Sequence, residues 1–430
     1  MMKVCVIGTG YVGLTTGIML AELGHQVTCV DIDEEKIALL HQGKVPIYEP
    51  GTEELLLKHL NTNLKFTSQL SAAAPDAMVI MIAVGTPPGK TGIPDISAVE
   101  QVARELVPFL SSYKVLIIKS TVPVGTSDSI RQLILDSGNP ALSFDMVSNP
   151  EFLREGCALH DCFHTDRIVI GGDNPEAISL VWSMYSKLTA PCVVTSLRAA
   201  EMIKYVSNAF LAMKISFTNE IAAICEGYGV DIKEVTQGVG FDHRIGHHFL
   251  GAGAGYGGSC FPKDLQGLLH MSKTCGTRAD ILKAIKKVND LQITRIIAKL
   301  EQEIGSLSGQ ELAVWGLTFK PNTDDLRAAP ALSLIAQLLR RQAKVRVYDP
   351  IGMPKAKALL PVQVTMTDNM YQAVRGAHGL IIITEWDQFR HADLERVKQT
   401  MQEFVVIDGR NIFEPKQMLR LGCRYTGMGR

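Results

Sequence analysis

Short apolar runs alternate with longer stretches of helical spacing along the whole chain. Lys3 to Ile7 (KVCVI) is a strand-length run that ends in Gly8-Thr-Gly10-Tyr-Val-Gly13. Leu14, Ile18, Leu20 and Ala21 follow at helical spacing and stop at Gly24. Gln26 to Val30 is the next strand, closed by Asp31. Ala77 to Val84, Val115 to Lys119 and Phe144 to Val147 read as further buried strands, and residues 167–171 (RIVIG) as a final one in this half. Arg198 to Gly229 then reads as one long helix, with Met202, Ile203, Val206, Phe210, Met213, Phe217, Ile221 and Ile224 among its apolar positions. Ile281 to Ile304 is a second long helical pattern.

A second β-α-β pattern begins at Glu311 to Trp315, passes through a helix at Leu332 to Leu339 and a strand at Lys344 to Tyr348, and ends at Asp349. Leu380 to Ile383 and Phe404 to Ile407 are further strands. Strands alternating with helices predict an α/β fold with parallel sheets. The expected architecture is two Rossmann-like doubly wound domains joined by a long central helix. The division expected is 1–197, 198–300 and 301–430.

Composition narrows the class. Of 430 residues, 46% are apolar and 20% charged, as in a packed soluble protein. A formal charge of −1 gives no bulk attraction to nucleic acid or to a membrane surface. The nine cysteines are scattered and form no C-x-x-C pair, which points to a reducing, cytoplasmic compartment without a disulfide framework or zinc site. His243, His247 and His248 cluster without acidic or cysteine partners at metal-ligand spacing, so no metal is expected. The glycines at residues 8–17 interrupt any signal-peptide core, and no apolar run is long enough to span a bilayer.

The first β-α-β carries a dinucleotide fingerprint. Gly8 permits the tight turn, Gly10 lets backbone amides meet a pyrophosphate at the helix N-terminus, and Gly13 permits close helix–strand packing. Asp31 accepts from ribose hydroxyls and repels a 2′-phosphate, which favours NAD over NADP. For Lys36 two readings stand: an adenosine contact or a solvated helix lysine. Thr86 and Thr121 follow strand ends, where the nicotinamide half would lie, although each Thr-Pro or Thr-Val-Pro is by itself only a turn signal. Glu151 and Glu155 follow the strand at Phe144.

The stretch Gly255-Tyr-Gly-Gly-Ser-Cys-Phe-Pro-Lys-Asp264 sets one cysteine after a glycine run and four residues before a carboxylate. Near a helix N-terminus Cys260 would be favoured as thiolate and could act as a nucleophile. The competing reading is a buried cysteine beside a tight turn. Lys204 and Asn208 share a face of the long helix, where a buried cation and amide are costly unless they meet a partner. Arg244 suits a carboxylate or phosphate. The second Rossmann-like half lacks the three-glycine fingerprint, so it is expected to bind a different ligand. Lys320, Arg327 and Arg410 sit at its presumed strand ends and read equally as phosphate contacts or surface cations.

Taken together, Gly8–Gly13, Pro46-Ile-Tyr-Glu-Pro-Gly51, Ser120-Thr-Val-Pro123, Asn149-Pro-Glu-Phe-Leu153, Lys204 with Asn208, Gly257 to Asp264 and Phe319-Lys320 resemble the UDP-glucose/GDP-mannose dehydrogenase family. The resemblance covers nearly the whole chain, and Phe261 with Glu385-Trp386 is more similar to its UDP-glucose branch. It implies a homodimer and oxidation of a primary alcohol to an acid with two NAD, through a thiohemiacetal and thioester on Cys260. It implies catalytic roles for Lys204 and Asn208 at the oxyanion and for Asp264, Thr121 and Glu151 near the attacking water. For NAD it implies Gly8, Gly10, Tyr11, Val12, Gly13, Asp31, Lys36, Thr86, Thr121, Glu155 and Arg327. For the UDP-sugar it implies Phe152, Leu153, Glu155, Lys204, Asn208, Gly251, Gly255, Tyr256, Gly257, Phe319, Lys320 and Arg410, with Arg244 contributed by the other subunit. GDP-mannose or a UDP-amino sugar as substrate, a two-electron alcohol dehydrogenase and a non-catalytic nucleotide-binding scaffold are the rival readings.

Overall fold

The computed structural model describes residues 1–89 and 92–430. The chain divides into two compact units, Met1–Ser207 with Gln266–Cys275, and Asn208–Leu265 with Gly276–Arg430. Each is built on its own sheet.

The first sheet comprises β1 (Lys3–Ile7), β2 (Gln26–Val30), β3 (Leu64–Thr67), β4 (Val79–Ile82), β5 (Lys114–Ile118), β6 (Phe144–Ser148), β7 (Ile168–Gly172) and β8 (Cys192–Thr195). Their spatial order is β3-β2-β1-β4-β5-β6-β7-β8. All pairings are parallel except β6 with β7. The run at residues 167–171 is therefore not the last strand of this half, since β8 pairs beyond it. β8 is only four residues long and two of them are exposed, so its apolar signal is weak.

Strand residues alternate between two cores because successive side chains point to opposite faces. Val4, Val6, Val79, Met81, Val115 and Ile117 pack on one side with Leu14 and Ile18. Cys5, Ile7, Ile80, Ile82, Leu116 and Ile118 pack on the other with Val99, Ala103 and Leu106. Burial on both faces explains why these strands read as continuous apolar runs.

The second sheet comprises β9 (Glu311–Trp315), β10 (Lys344–Tyr348), β11 (Thr365–Met366), β12 (Gly379–Ile382), β13 (Val405–Asp408) and β14 (Arg424–Gly427). It is parallel throughout, in the order β11-β10-β9-β12-β13-β14. Strand order reverses between β1 and β4 in the first sheet and between β9 and β12 in the second. Ligands of such sheets bind at the carboxyl ends beside that reversal. The long helix runs continuously from Leu197 to Tyr228.

The two units repeat one device and then diverge. Gly8, after β1, has φ +99, and a Cβ there would lie 2.7 Å from Ala83 O. Gly316, after β9, has φ +93, and a Cβ there would lie 2.5 Å from Thr384 Cβ. Each glycine lets the chain turn against the strand-end residue across the reversal. The helix after β1 begins at Tyr11, whereas the helix after β9 begins only at Pro330. Asp349, the counterpart of Asp31 at the end of the second strand, is fully buried. Its carboxylate accepts from the amides of Leu317, Thr318, Ile351 and Gly352, from the Thr318 hydroxyl and from Trp386 Nε1. It has no capacity left for a ribose, so the second unit does not present a dinucleotide site of the first unit's kind.

Candidate active site

In the first unit the glycine turn is set for an anion. Gly8 N donates to Val30 O at 2.7 Å, drawing the turn onto β2. A Cβ at Gly13 would sit 1.8 Å from Gly8 O, whereas one at Gly10 would meet nothing within 4 Å. Helix Tyr11–Glu22 has Gly10 as its N-cap, with no side-chain cap and no acidic residue in its first turn. With no acid in that first turn and no described atom within 4 Å of a side chain built at Gly10, the helix N-terminus fits the close approach of a dinucleotide pyrophosphate.

Asp31 Oδ2 accepts from Thr9 N at 2.8 Å and Thr9 Oγ1 at 2.6 Å, while Oδ1 accepts from Asp33 N at 3.0 Å. Burial acts to raise its pKa, but these hydrogen bonds and the nearby Lys36 outweigh it and keep the carboxylate below its ordinary value. Asp31 is thus held ionised at the place where an adenosine ribose would arrive. Lys36 Nζ is 4.0 Å from Asp31 Oδ2 and 3.4 Å from Asp33 Oδ2. These residues fit NAD.

The loops after β4 and β5 are joined: Thr86 Oγ1 donates to Thr121 O at 2.7 Å, and Ser120 Oγ donates to Val84 O at 2.6 Å. Glu201, on the long helix, braces the same loop from below. Its buried carboxylate accepts from Gly125 N at 2.6 Å, Ser127 N at 2.8 Å and Ser127 Oγ at 2.6 Å.

Lys204 and Glu151 form a buried ion pair. Lys204 Nζ is 2.9 Å from Glu151 Oε1, with side chains 3% and 6% exposed. Burial opposes the Glu151 charge, but Lys204, the Leu153 amide and Lys119 together keep its pKa lowered. Leu153 N donates to Glu151 Oε2 at 2.5 Å. The Phe152 ring lies beneath the Arg167 guanidinium, 3.6 Å from its centroid, and 5.5 Å from Lys204 Nζ. Residues 151–154 are irregular, so Glu151 and Glu155 do not share a helix face. The Glu155 segment is anchored instead by Glu49, whose carboxylate accepts from Gly156 N at 2.6 Å and Ala158 N at 2.7 Å.

In the second unit Asn208 Nδ2 donates to Asp264 Oδ2 at 2.5 Å, and Lys263 Nζ is 2.7 Å from Asp264 Oδ1. Cys260 immediately precedes helix Phe261–Thr274, and its carbonyl accepts from Asp264 N at 2.8 Å. Cys260 therefore occupies the N-cap position, where the helix dipole favours a thiolate. It is partly exposed, and its sulfur lies 3.4 Å from Ser259 Oγ. The buried cysteines differ: Cys5 and Cys162 have their thiols pushed up to about 12 by burial.

The glycine loop ahead of Cys260 is pinned by hydrogen bonds from its backbone amides, and at Gly257 and Gly258 it has no room for a side chain. Gly253 N donates to Asn219 Oδ1 at 2.7 Å, Ala254 N to Gly409 O at 2.7 Å and Gly258 N to Arg327 O at 2.9 Å. Tyr256 N donates to Asn289 Oδ1 at 2.8 Å. A Cβ at Gly257 would lie 2.3 Å from Ala328 O, and one at Gly258 would lie 2.8 Å from the Phe319 ring. Gly251 faces open space.

Arg410 is part of this scaffold. It donates to Ile383 O at 2.6 Å, Gly255 O at 3.0 Å and Phe319 O at 3.4 Å. Lys320 Nζ is 5.6 Å from the Phe319 ring centroid. Arg327 pairs with Asp325 at 2.7 Å, and Arg244, 77% exposed, with Asp242 at 2.6 Å. Among the described residues no group of three or more His, Cys, Asp or Glu is placed to hold a metal ion, and no helix is long and apolar enough to cross a membrane.

Sequence reasoning passed over Lys119, Glu201, Glu49 and Asn289. Only Glu49 carried a local signal, its place in Pro46–Gly51; the others are single polar residues inside ordinary strand and helix patterns.

Three family models match the chain. The NAD binding domain of the UDP-glucose/GDP-mannose dehydrogenase family matches residues 2–189, the central domain 198–291 and the UDP binding domain 313–415. UDP-glucose 6-dehydrogenase TuaD of Bacillus subtilis (strain 168) is 45% identical over 431 residues, covering 100% of this chain and 94% of that protein. A UDP-glucose 6-dehydrogenase of Pseudomonas aeruginosa is 42% identical, with 100% and 98% coverage. Among solved structures, a UDP-glucose dehydrogenase from the archaeon Pyrobaculum islandicum superposes with a TM-score of 0.94 at 37% identity, covering 100% of this chain and 98% of that one. A GDP-mannose dehydrogenase ternary complex reaches only 0.56 at 29% identity, with 99% and 100% coverage. With a nucleotide-binding turn that fits NAD, a cysteine at a helix N-terminus and full-length relatives of this kind, the chain belongs to the UDP-glucose/GDP-mannose dehydrogenase family and is an NAD-dependent oxidoreductase.

Proposed function

We propose that this enzyme oxidises the primary alcohol of UDP-glucose to the carboxylate of UDP-glucuronate, holding the half-oxidised sugar on Cys260. The observation that carries this reading is Cys260 at the N-cap of the helix that also bears Asp264, itself hydrogen-bonded to Asn208 at 2.5 Å. NAD, when bound, supplies the hydride acceptor for each of the two oxidations. Loss of a proton and a hydride from the alcohol gives the aldehyde. The Cys260 thiolate adds to its carbonyl carbon, forming a C–S bond and an oxyanion. Loss of the second hydride leaves a thioester. Water then attacks the thioester carbon, the C–S bond breaks, and the acid and free thiol result.

Lys204 stabilises the developing oxyanion as a cation, and Asn208 adds a hydrogen bond. Asp264, assisted by Thr121 or Glu151, takes the proton of the attacking water. Gly8, Gly10, Tyr11, Val12, Gly13, Asp31, Lys36, Thr86, Thr121, Glu155 and Arg327 hold NAD. Phe152, Leu153, Glu155, Gly251, Gly255, Tyr256, Gly257, Phe319 and Lys320 hold the UDP-sugar, with Arg410 keeping the glycine loop in shape and Arg244 supplied by a second subunit. No metal takes part.

The working form is a cytoplasmic homodimer. Val206, Phe210, Phe217, Ile224 and Tyr228 recur at helical spacing on the central helix, and Phe210 and Phe217 are 57% and 61% exposed. An apolar stripe of this kind calls for a partner surface. All nine cysteines are free, as suits a reducing compartment. The central segment 198–300 is read as the dimerisation region between a nucleotide-binding domain at 1–197 and a UDP-sugar domain at 301–430.

The test is a panel of UDP-glucose, UDP-amino sugars and GDP-mannose, with NADH counted per product. UDP-glucose is expected to turn over with two NADH per sugar. Turnover of GDP-mannose alone would overturn the substrate, one NADH per sugar would overturn the covalent route, and binding without turnover would make the protein a scaffold.

A further inference from the structure

The loop that carries Glu151 rests on a lysine outside the roles above. Lys119 lies at the end of β5 and is 7% exposed. Its Nζ donates to Asn149 O at 3.3 Å and Asn149 Oδ1 at 3.2 Å. Asn149 is otherwise fully engaged. Its amide nitrogen Nδ2 donates to Val169 O at 2.7 Å, its Oδ1 accepts from Tyr185 OH at 2.6 Å, and its backbone N donates to Ile118 O at 3.0 Å. Asn149 thus ties the ends of β5 and β7 together, two residues before Glu151.

Neutral oxygens do not repay the burial of an ammonium; an opposing charge is needed. Glu151 is the acid that favours the Lys119 charge most, Cys162 contributes less, and Lys204 opposes it. Asp161, Cys162, Arg167 and Tyr185 line the same small cavity as Lys119, Asn149 and Glu151, with the Arg167 guanidinium stacked on the Phe152 ring. That cavity measures about 40 Å³ and is also lined by Thr16, whose buried hydroxyl has no hydrogen-bond partner among the described residues. It has room for water to answer Thr16 and the third N–H of Lys119.

We propose that Lys119 is a positioning residue of the reaction: it fixes the Asn149–Glu151 loop and, as a second cation beside Lys204, keeps the Glu151 carboxylate ionised. This inference rests on the reading of Glu151 as part of the catalytic site. With Lys119 gone, one of the two cations that lower the Glu151 pKa is lost, and the fraction of protonated Glu151 at a given acidic pH rises. The remaining Lys204 pair keeps the variant active near neutrality, so the change is concentrated on the acid side.

The experiment is a double-mutant cycle of Lys119→Met and Glu151→Gln, reading kcat across pH together with thermal melting. Lys119→Met is expected to move the acid limb of kcat up by about one pH unit and to lower kcat on that limb about tenfold. In the Glu151→Gln background the same change is expected to cost almost nothing, because residues that act through one another are not additive. Lys119→Gln keeps N–H donors toward Asn149 and covers the case in which Lys119→Met does not fold. Additive losses with an unmoved acid limb would overturn the role of Lys119 alone. Full activity of Glu151→Gln would instead remove Glu151 from the reaction, and the positioning role with it.

Discussion

Lys204 Nζ stands 2.9 Å from Glu151 Oε1 in a pocket that leaves both side chains almost wholly buried. Two opposite charges removed from water depend on each other, and removing Lys204 leaves Glu151 with Lys119 as its remaining cation. Lys204→Met is therefore expected to lose about 3–5 kcal/mol of stability as well as activity. Lys204→Met with Glu151→Gln should recover only part of the stability, because Lys119 then loses its principal acid, and none of the activity. Denaturant unfolding and NADH formation read the two effects separately. Equal stability of the single and double variants would mean that the pair is not energetically coupled.

Gly10 and Gly13 lie three residues apart and are expected to fail differently. Alanine at Gly13 puts its Cβ 1.8 Å from Gly8 O, so the helix must move off the turn and the protein is destabilised. Alanine at Gly10 meets no protein atom within 4 Å and sits at an extended φ of −74°, so the fold should be unchanged. Its methyl group would occupy the space over the helix N-terminus where a pyrophosphate must come close. Gly10→Ala should keep the wild-type melting temperature and raise KM for NAD, whereas Gly13→Ala should melt markedly lower. Calorimetry and NAD titration distinguish them.

Lys119 gives stability a signature in alkali. Burial pushes its pKa from 10.5 down to about 8. Between those values the unfolded chain binds a proton that the folded chain does not, so stability rises with pH across that window. Below pH 8 the cost of burying the charge is present in full; above pH 10.5 it is gone. Unfolding free energies measured at pH 7.5 and 10 should show an increment in the wild type that is missing from Lys119→Met. The same slope in both would assign the increment to other groups.

Arg410 holds three carbonyls, at Ile383, Gly255 and Phe319, with a planar fork that lysine cannot reproduce. Arg410→Lys is expected to loosen the glycine loop, raising KM for the UDP-sugar and costing about 1–3 kcal/mol through carbonyls left unpaired. KM for NAD should hardly move, because the nucleotide turn at Gly8 to Gly13 belongs to the first unit. Equal changes in both KM values would argue against a local role.

Much of this molecule was readable from residue order. Apolar runs bounded by glycine and acid gave the strands, since a parallel sheet buried on both faces needs unbroken apolar sequence; Val79–Ile82 and Val405–Asp408 are examples. β3, β8, β11 and β14, the edge strands of the two sheets, were missed because short, partly exposed edge strands carry little of that signal. Gly8, Gly13 and Asp31 were legible because local spacing alone dictates what each does. They supply a turn, a close approach and an acid at the next strand end.

What the residue order could not decide is which polar side chains meet. Lys204 and Glu151 are 53 positions apart, and Asn208 and Asp264 are 56 apart, so no local pattern links either pair. Lys119 read as the tail of a strand and Glu201 as one acid on a helix until folding buried them against Asn149 and the Gly125–Ser127 loop. Arg410 read equally as a phosphate contact and a surface cation; its three carbonyl partners come from segments far apart in the chain. Local periodicity determines elements because neighbouring residues share a backbone geometry. Long-range packing alone decides which buried charges are answered, because the cost of burying a charge depends on what folding brings beside it.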